Sequence, residues 1–232
     1  MNRTADTAPQ PAPSPVDRAA DAAIPAPDST AARLLGAALH HFGHRGFAAT
    51  STRQLAEAAG VNIAAIAYHF GSKSGLRLAC ADEITRRITA LTGAPDTAMC
   101  LTRAEARDRL EALLREMARF LLTAPEAEDM AAFVLREIAD HGPAFDRLYE
   151  AFFAPKHREI CALWAAACGQ DAESETVRLA VFAMIGQVAY FRIARPVVLR
   201  RMGWVAPGAA EINAVQDMLI GNLHASLERC LT

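Results

Sequence analysis

Several side chains between Thr52 and Lys73 can bind an anion, because they are cations or hydrogen-bond donors at close spacing. Arg53 carries a guanidinium, a permanent cation with several hydrogen-bond donors. Tyr68, His69 and Lys73 carry donors that suit phosphate oxygens. These residues predict contact with a polyanion such as duplex DNA.

Two short helices and a glycine turn must position these donors. Ser51 stands three residues before Gln54, as in a capping box, and this spacing predicts a helix over about 52–59. Gly60 ends that helix, and an asparagine, which is a good N-cap, begins a second helix over about 62–69. Helix pairs joined by a tight glycine turn are typical of the helix-turn-helix motif.

The neighbouring helices follow from the same signals. Ser72 can cap a helix over about 73–91, whose first-turn amides and positive dipole end favour phosphate. An apolar stripe predicts an earlier helix over about 30–42. We expect the short pair to be held together by apolar contacts from Leu55, Ala56, Val61 and Ile66.

The composition predicts an all-α fold. Of the 232 residues, 52% are hydrophobic and 6% are aromatic, and alanine and leucine, which favour helices, supply most of the apolar count. Beyond the first quarter we expect helices over 103–123, 126–141, 143–168, 174–201 and 209–230. Pro155 and Pro196 fall inside two of these and should kink or split them.

Charge and proline divide the chain into three parts. Residues 1–28 hold six of the twelve prolines and predict an extended tail. Residues 29–90 hold seven arginines and lysines against three acids, although the whole chain has a formal net charge of −2. We therefore expect a DNA-binding domain at 29–91 and a separate helical domain at 92–232.

Other features restrict the cellular setting. The five cysteines include no C-x-x-C pair, which argues against a disulfide framework or a zinc knuckle. The longest apolar stretch, 179–191, is too short to span a bilayer, and the N-terminus lacks the apolar core of a signal peptide. We expect a soluble, cytoplasmic protein with no membrane partner.

The segment from Arg33 to Ile88 carries a specific motif. Within STRQLAEAAGVNIAAIAYHFGSKSGL, a Gly-Val pair is followed, after six intervening residues, by Tyr-His-Phe. A lysine follows after two further residues, and a leucine after another two. This run resembles the N-terminal DNA-binding domain of the TetR family of transcriptional regulators. The resemblance implies an all-helical homodimer with a three-helix helix-turn-helix domain, then a larger ligand-binding and dimerisation bundle. It also implies that a small molecule in the bundle releases the DNA.

The same resemblance places the family's DNA contacts on eight residues: Thr52, Arg53, Asn62, Ala64, Ala65, Tyr68, His69 and Lys73. Arg53 is the best candidate for reading a base, with a phosphate contact as the alternative. A packing role is the alternative for His69. Ala64 and Ala65 stand where the family often has polar residues. Because they can contact only thymine methyl groups, we expect readout to depend also on DNA shape.

Stretches of the C-terminal half resemble the CecR-type branch of this family: Arg136-Glu-Ile, Gly142-Pro-Ala-Phe-Asp-Arg-Leu, Pro155 and Gly186-Gln-Val-Ala-Tyr-Phe-Arg-Ile-Ala-Arg195. We expect an effector pocket among the helices before residue 174, closed by 174–195 and mostly apolar with a few polar anchors. The candidate lining residues, for which a core role is the alternative, are Phe120, Phe133, Glu137, Phe152, His157, Trp164, Gln187 and Tyr190.

The last two long helices are the expected dimer interface, because small residues there permit close approach of helices from two copies. The candidate interface residues are Met184, Ile185, Val188, Ala189, Met218, Leu219, Leu223, Ser226 and Leu227. The alternative is that these faces only close the protomer's own core.

Two rival functions remain open. Glu137 and His141 form an i, i+4 pair that could hold a metal in a helical enzyme or a metal-responsive protein, although a surface ion pair is favoured. Residues 91–232 show no nucleophile elbow, H-E-x-x-H motif or glycine-rich phosphate loop, so we expect no enzyme activity, no cofactor and no metal site. The other rival is a DNA-binding protein without ligand control.

Overall fold

The computed structural model describes residues 29–98 and 100–230, and these ranges contain helices and no strand. The all-α fold is therefore confirmed, whereas the expected tail at 1–28 lies outside the described residues. The helices are α1 (Thr30–Arg45), α2 (Thr52–Ala58), α3 (Ala64–Phe70), α4 (Lys73–Thr92), α5 (Arg103–Thr123), α6 (Glu126–Asp140), α7 (Pro143–Leu148), α8 (Ala154–Cys168), α9 (Glu175–Ile193), α10 (Arg195–Met202) and α11 (Ala209–Arg229).

Both interior prolines change the helix that contains them, as predicted. Before Pro155, residues Tyr149–Phe153 form a π-helical segment between α7 and α8, in which the Ala154 amide donates to the Tyr149 carbonyl. Proline has no amide to donate to the carbonyl four residues back, so the regular α pattern is interrupted there. Pro196 lies in the first turn of α10, and Ala194 separates that helix from α9.

One hydrophobic core holds the helix-turn-helix helices together with two helices from later in the chain. Phe42, Leu55 and Leu76 are almost completely buried in it, as are Phe133 from α6 and Leu148 from α7. The apolar core of α1–α4 therefore continues across the boundary that the sequence placed near residue 91.

A second core lies in a bundle of α5, α8, α9 and α11. Trp164 is 1% exposed at its centre, and Leu114, Val181 and Leu223 pack in the same cluster. The buried ammonium of Lys156 donates to the carbonyls of Thr92 and Gly93 at 3.4 and 3.1 Å, which links α8 to the C-terminal end of α4. Cations are favoured at that end of a helix because its last carbonyls lack helical partners.

The backbones of α1 and α6 approach closely at Gly43. A Cβ atom at this position would lie 2.8 Å from the Phe133 amide nitrogen and 3.0 Å from the Ala132 Cβ atom. Only a residue without a side chain therefore permits the observed separation of the two helices.

We predict that Gly43→Ala lowers the free energy of unfolding by about 1–3 kcal/mol, because the added methyl group forces α1 and α6 apart. Gly36→Ala in the same helix is the matched control, since its Cβ would meet nothing within 4 Å. The control should gain about 0.5–1 kcal/mol from better helix propensity. Urea denaturation measures both, and equal gains would contradict the tight contact.

Candidate DNA interface

The turn between α2 and α3 has the predicted local structure. The Gln54 amide donates to the Ser51 hydroxyl at 3.2 Å, and the Ser51 amide donates to the Gln54 side chain at 2.8 Å, which completes the capping box. Gly60 has φ +63°, in the left-handed region that favours glycine. The Val61 amide then donates to the Ala56 carbonyl at 2.9 Å, which closes the turn.

The second short helix is fixed by a polar cap and by apolar contacts. Asn62 Oδ1 accepts from the Ala64 amide at 2.9 Å at the start of α3. Leu55, Ala56 and Ile66 are buried, and Val61 packs against them, so the predicted contacts between the two helices are confirmed. The opposite face of α3 is left on the surface.

Most of the side chains that the sequence assigned to DNA contact lie on this surface. Arg53, Asn62, Ala64, Tyr68 and His69 are exposed, whereas Thr52, Ala65 and Lys73 are half-buried. Tyr68 is 83% exposed, and its ring meets the His69 ring edge to face at 4.9 Å. An aromatic ring this open, beside a histidine, is available to a partner outside the chain.

Phe47 organises the cations at the start of α4. The Lys73 Nζ atom lies 4.2 Å from the centre of the Phe47 ring, and the Arg77 guanidinium lies 4.8 Å from it. Burial, and then the charge of Arg77, lower the pKa of Lys73 from its ordinary value. Phe47 also packs against the core of α1–α4, and its cation contacts join residues that are 26 and 30 positions apart in the sequence.

The first turn of α4 has the cap that the sequence predicted. The Gly75 amide donates to the Ser72 hydroxyl at 3.0 Å. With Lys73 in the same turn, the positive end of this twenty-residue helix faces the surface beside α3. Such helix ends bind phosphate through free amides and the helix dipole.

A buried ion pair connects α4 with α6. The Arg77 Nε atom donates to Glu137 Oε1 at 2.7 Å, and the Glu137 side chain is only 1% exposed. Asp140 lies 3.8 Å from the same guanidinium. His141 instead has a left-handed backbone, φ +49°, with its Nδ1 atom 3.2 Å from the Ala139 carbonyl. The structure therefore pairs Glu137 with Arg77 and does not bring it together with His141.

The expected pocket residues are divided between several places. A cavity of about 380 Å³ lies mainly between α9 and α11, and Trp164 and Gln187 line it.

Phe133 and Glu137 are buried against α1–α4, and Phe120 packs beside that core. Phe152 packs against Phe153, and Tyr190 is 56% exposed. The eight side chains therefore do not share one pocket, because α6 joins the N-terminal core.

His157 occupies a different environment from the other expected pocket residues. Its ring stacks on the Phe182 ring with centres 4.0 Å apart, and its Nδ1 atom lies 3.5 Å from the Cys161 sulfur. Burial lowers the pKa of His157 from its ordinary value. The ring therefore favours the neutral form and packs on the side of α9 that carries Phe182.

The expected dimer residues also fall into two groups. Those that lie in the protomer's own core, with 1–5% exposure, are Met184, Val188, Leu219, Leu223 and Leu227. Their placement corrects the expectation that they present a surface to a second copy, because they are already covered by α5 and α8. Ile185, Ala189 and Ser226 are half-buried, and Met218 is 43% exposed.

A different face of α9 is apolar and open. The large apolar side chains on it are Leu179, Phe182, Tyr190 and Ile193, each 55–61% exposed. Among the described helices, α9 also has the length and apolar composition that could cross a membrane, which corrects the expectation that the stretch 179–191 is too short to do so. However, its other side, with Val181 and Met184, packs in the bundle core, so α9 is an integral element of that bundle.

Comparisons with known proteins agree with this architecture. Residues 34–80 match the family described as bacterial regulatory proteins, tetR family. Residues 106–230 match the C-terminal domain of the HTH-type transcriptional dual regulator CecR. The CecR regulator of Shigella flexneri is 35% identical over 185 residues, which cover 75% of this chain and 80% of that protein.

Solved structures share the fold at low identity. A transcriptional regulator from Pseudomonas aeruginosa PAO1 aligns with a TM-score of 0.63 and 16% identity, covering 89% of this chain and 96% of the other. AibR, solved in complex with isovaleryl coenzyme A and operator DNA, aligns with a TM-score of 0.60 and 15% identity, covering 83% and 97%.

The two family matches fall on the two halves of the structure, the capped helix pair beside α4 and the bundle around Trp164. The chain is therefore a DNA-binding transcriptional regulator that belongs to the TetR family and has a CecR-type C-terminal domain.

Proposed function

We propose that this regulator binds a palindromic operator in the cytoplasm as a homodimer, and that a small molecule bound in its C-terminal half releases the DNA. The observation that carries the first part is the open surface of α3, with Tyr68 83% exposed next to the capped start of α4. One helix of this length reads few base pairs. Two copies related by a two-fold axis would read two half-sites about 34–36 Å apart.

The surface divides into groups with different tasks. Arg53, exposed in the first turn of α2, is the candidate for reading a base. Lys73 and the free amides of the first α4 turn suit phosphates, which fix the register without reading sequence. Ala64 and the half-buried Ala65 allow the backbone of α3 to approach the bases closely.

The second copy is expected on the open face of α9 together with α11. Exposed apolar patches of this kind mark protein–protein contacts. Gly186 on α9 and Gly221 on α11 are both exposed, and a Cβ atom at either would meet nothing within 4 Å in the protomer. Small residues at these positions allow a partner helix to approach closely, as the sequence predicted for this pair of helices.

The cavity between α9 and α11 is the candidate effector site. Its volume of about 380 Å³ is that of a small-molecule pocket, and its lining combines Trp164 and Met184 with the polar side chains of Gln187 and Asn222. The fold neighbour AibR was solved with both an acyl coenzyme A and operator DNA. That pairing supports a small-molecule effector here, without identifying its chemistry.

Ion pairs connect the cavity helix with the DNA-binding surface. At the end of α9, the Arg192 Nη2 atom lies 3.3 Å from Glu128 Oε2 in the first turn of α6. Burial lowers the pKa of Arg192 from its ordinary value, and the charge of Glu128 opposes that shift. At the other end of α6, Glu137 binds Arg77 one turn after Lys73. A shift of α9 would therefore reach α4 through α6.

We predict that Arg53→Ala relaxes the preference at one base pair of each half-site by about 1–3 kcal/mol. Lys73→Ala should instead weaken binding to specific and random DNA alike. It should also reduce the slope of log affinity against log salt concentration by about one, because one phosphate contact is lost. Fluorescence anisotropy on an operator and a scrambled duplex at several salt concentrations separates the two effects. Equal losses on both duplexes for Arg53→Ala would refute base reading.

For the dimer, we predict that Gly186→Leu gives monomers that bind the operator weakly. Leucine has space in the protomer and raises helix propensity by about 0.5–1 kcal/mol, so the variant should fold at least as stably as the natural chain. Gly36→Leu is the control, because Gly36 is also an exposed helical glycine with nothing within 4 Å of its Cβ position. Sedimentation velocity measures the mass, and an unchanged dimer for Gly186→Leu would exclude this face.

For the effector, we predict that a compound that stabilises the protein thermally lowers operator affinity about 5- to 150-fold, the usual range of such coupling. Saturating operator must weaken the compound by the same factor. Glu128→Gln, which breaks the ion pair with Arg192, should reduce this factor. Glu126→Gln, an exposed acid in the same turn, should leave it unchanged. If no stabilising compound alters operator affinity, the chain is a DNA-binding protein without ligand control.

A further inference from the structure

Two histidines and an aspartate converge where α1 packs against α6. The Nδ1 atom of His40 and the Nε2 atom of His44 lie 3.0 and 2.9 Å from the same oxygen, Oδ1 of Asp129. The three donor atoms all lie within 4.8 Å of one another. The histidines are one helical turn apart, and Asp129 comes from a helix that is more than eighty residues away in the sequence.

The packing of the two helices holds this cluster in place. Gly43 lies on the same side of α1 as His40 and His44, and its missing side chain allows α6 to approach closely. A short aspartate side chain can reach both imidazoles only at such a separation. Ligand groups on regular helices are more precisely positioned than groups on loops.

The donor set suits a divalent transition metal. Two imidazole nitrogens and one carboxylate oxygen are ligands for zinc, cobalt, nickel and iron. Bond lengths of about 2.0–2.2 Å in a tetrahedral zinc site place the ligand atoms roughly 3.3–3.5 Å apart. The two nitrogen–oxygen distances need to widen by only a few tenths of an ångström, and the two nitrogens, which lie within 4.8 Å of each other, need to reach the same spacing.

The cluster is also open to solvent, and its imidazole nitrogens can become available to a metal ion. The side chains of His40, His44 and Asp129 are 56%, 38% and 35% exposed, so an ion can enter without unfolding. Each neutral imidazole can move its proton to its other ring nitrogen and present the nitrogen that faces Asp129. Two protein helices then supply three ligands, which leaves a position for water, as in zinc sites with an open coordination position.

We propose that His40, His44 and Asp129 form a binding site for a divalent transition metal such as zinc. The site joins α1 of the DNA-binding half to α6, the helix that also carries Glu128 and Glu137. A bound ion stabilises this packing of α1 against α6. The proposal departs from the sequence-based expectation of no metal site, and it does not depend on the operator or the effector proposed above.

Titration of the tag-free, chelator-treated full chain with Co²⁺ tests the site directly. We expect saturable binding of one Co²⁺ ion per chain, with the visible absorption that cobalt shows when its ligands are nitrogen and oxygen atoms. Zn²⁺ should displace the bound cobalt. His44→Ala should lower the affinity by more than the roughly 10- to 100-fold that loss of an outer hydrogen-bonding partner costs. His141→Asn is the matched control, because His141 is exposed, lies outside the cluster and has a left-handed backbone that asparagine tolerates.

A second readout is thermal stability. Zinc at about 100 times its Kd should raise the Tm of the natural chain and of His141→Asn by roughly 5–10 °C, and should leave His44→Ala unchanged. Far-UV circular dichroism checks that His44→Ala is folded. Absence of saturable binding, or equal binding and stabilisation for His44→Ala, would overturn the proposal. A thiolate-to-cobalt absorption band would also overturn it, because it would assign the metal to a cysteine such as the exposed Cys100.

Discussion

Burying a carboxylate is costly unless a cation compensates its charge, and the Glu137 side chain, 1% exposed, meets this condition through Arg77 at 2.7 Å. The pair lies between α4 and α6, so α4, which begins at the candidate DNA surface, cannot move away from α6 without leaving a charge unpaired. Arg77 also faces the Phe47 ring on which Lys73 packs. The position of the proposed phosphate contact therefore depends on this one buried interaction.

The helix α6 occupies a central position for the same reason. In its first turn, Glu128 forms an ion pair with Arg192 at the end of α9, and the adjacent Asp129 contacts His44 of α1. Near its other end, Glu137 forms an ion pair with Arg77 of α4. Apolar contacts through Phe133 add to these polar contacts. The two halves of the chain are thus joined partly through α6, which makes both charged and apolar contacts, and partly through Leu148 of α7 and the contact of Lys156 with the end of α4.

Local signals accounted for most of the helix pair at the candidate interface. The Ser51–Gln54 capping box, the left-handed Gly60 and the Asn62 cap each depend on residues within four positions. Such interactions depend on residue types at fixed short spacings, so they could be predicted from the sequence. The same is true of the interrupted helix before Pro155, since a proline lacks its amide in any fold.

By itself, the sequence determined the helices, the turn chemistry and the family, because all three depend on neighbouring residues. Only the tertiary structure decided which face of each helix is covered. Helix α9 has an apolar face with Val181 and another with Phe182, and periodicity cannot tell which one meets the protomer's own core. The contacts of Glu137 with Arg77 and of Asp129 with His44 join residues 60 and 85 positions apart. Such pairs leave no periodic signal, because packing of distant helices alone brings them together.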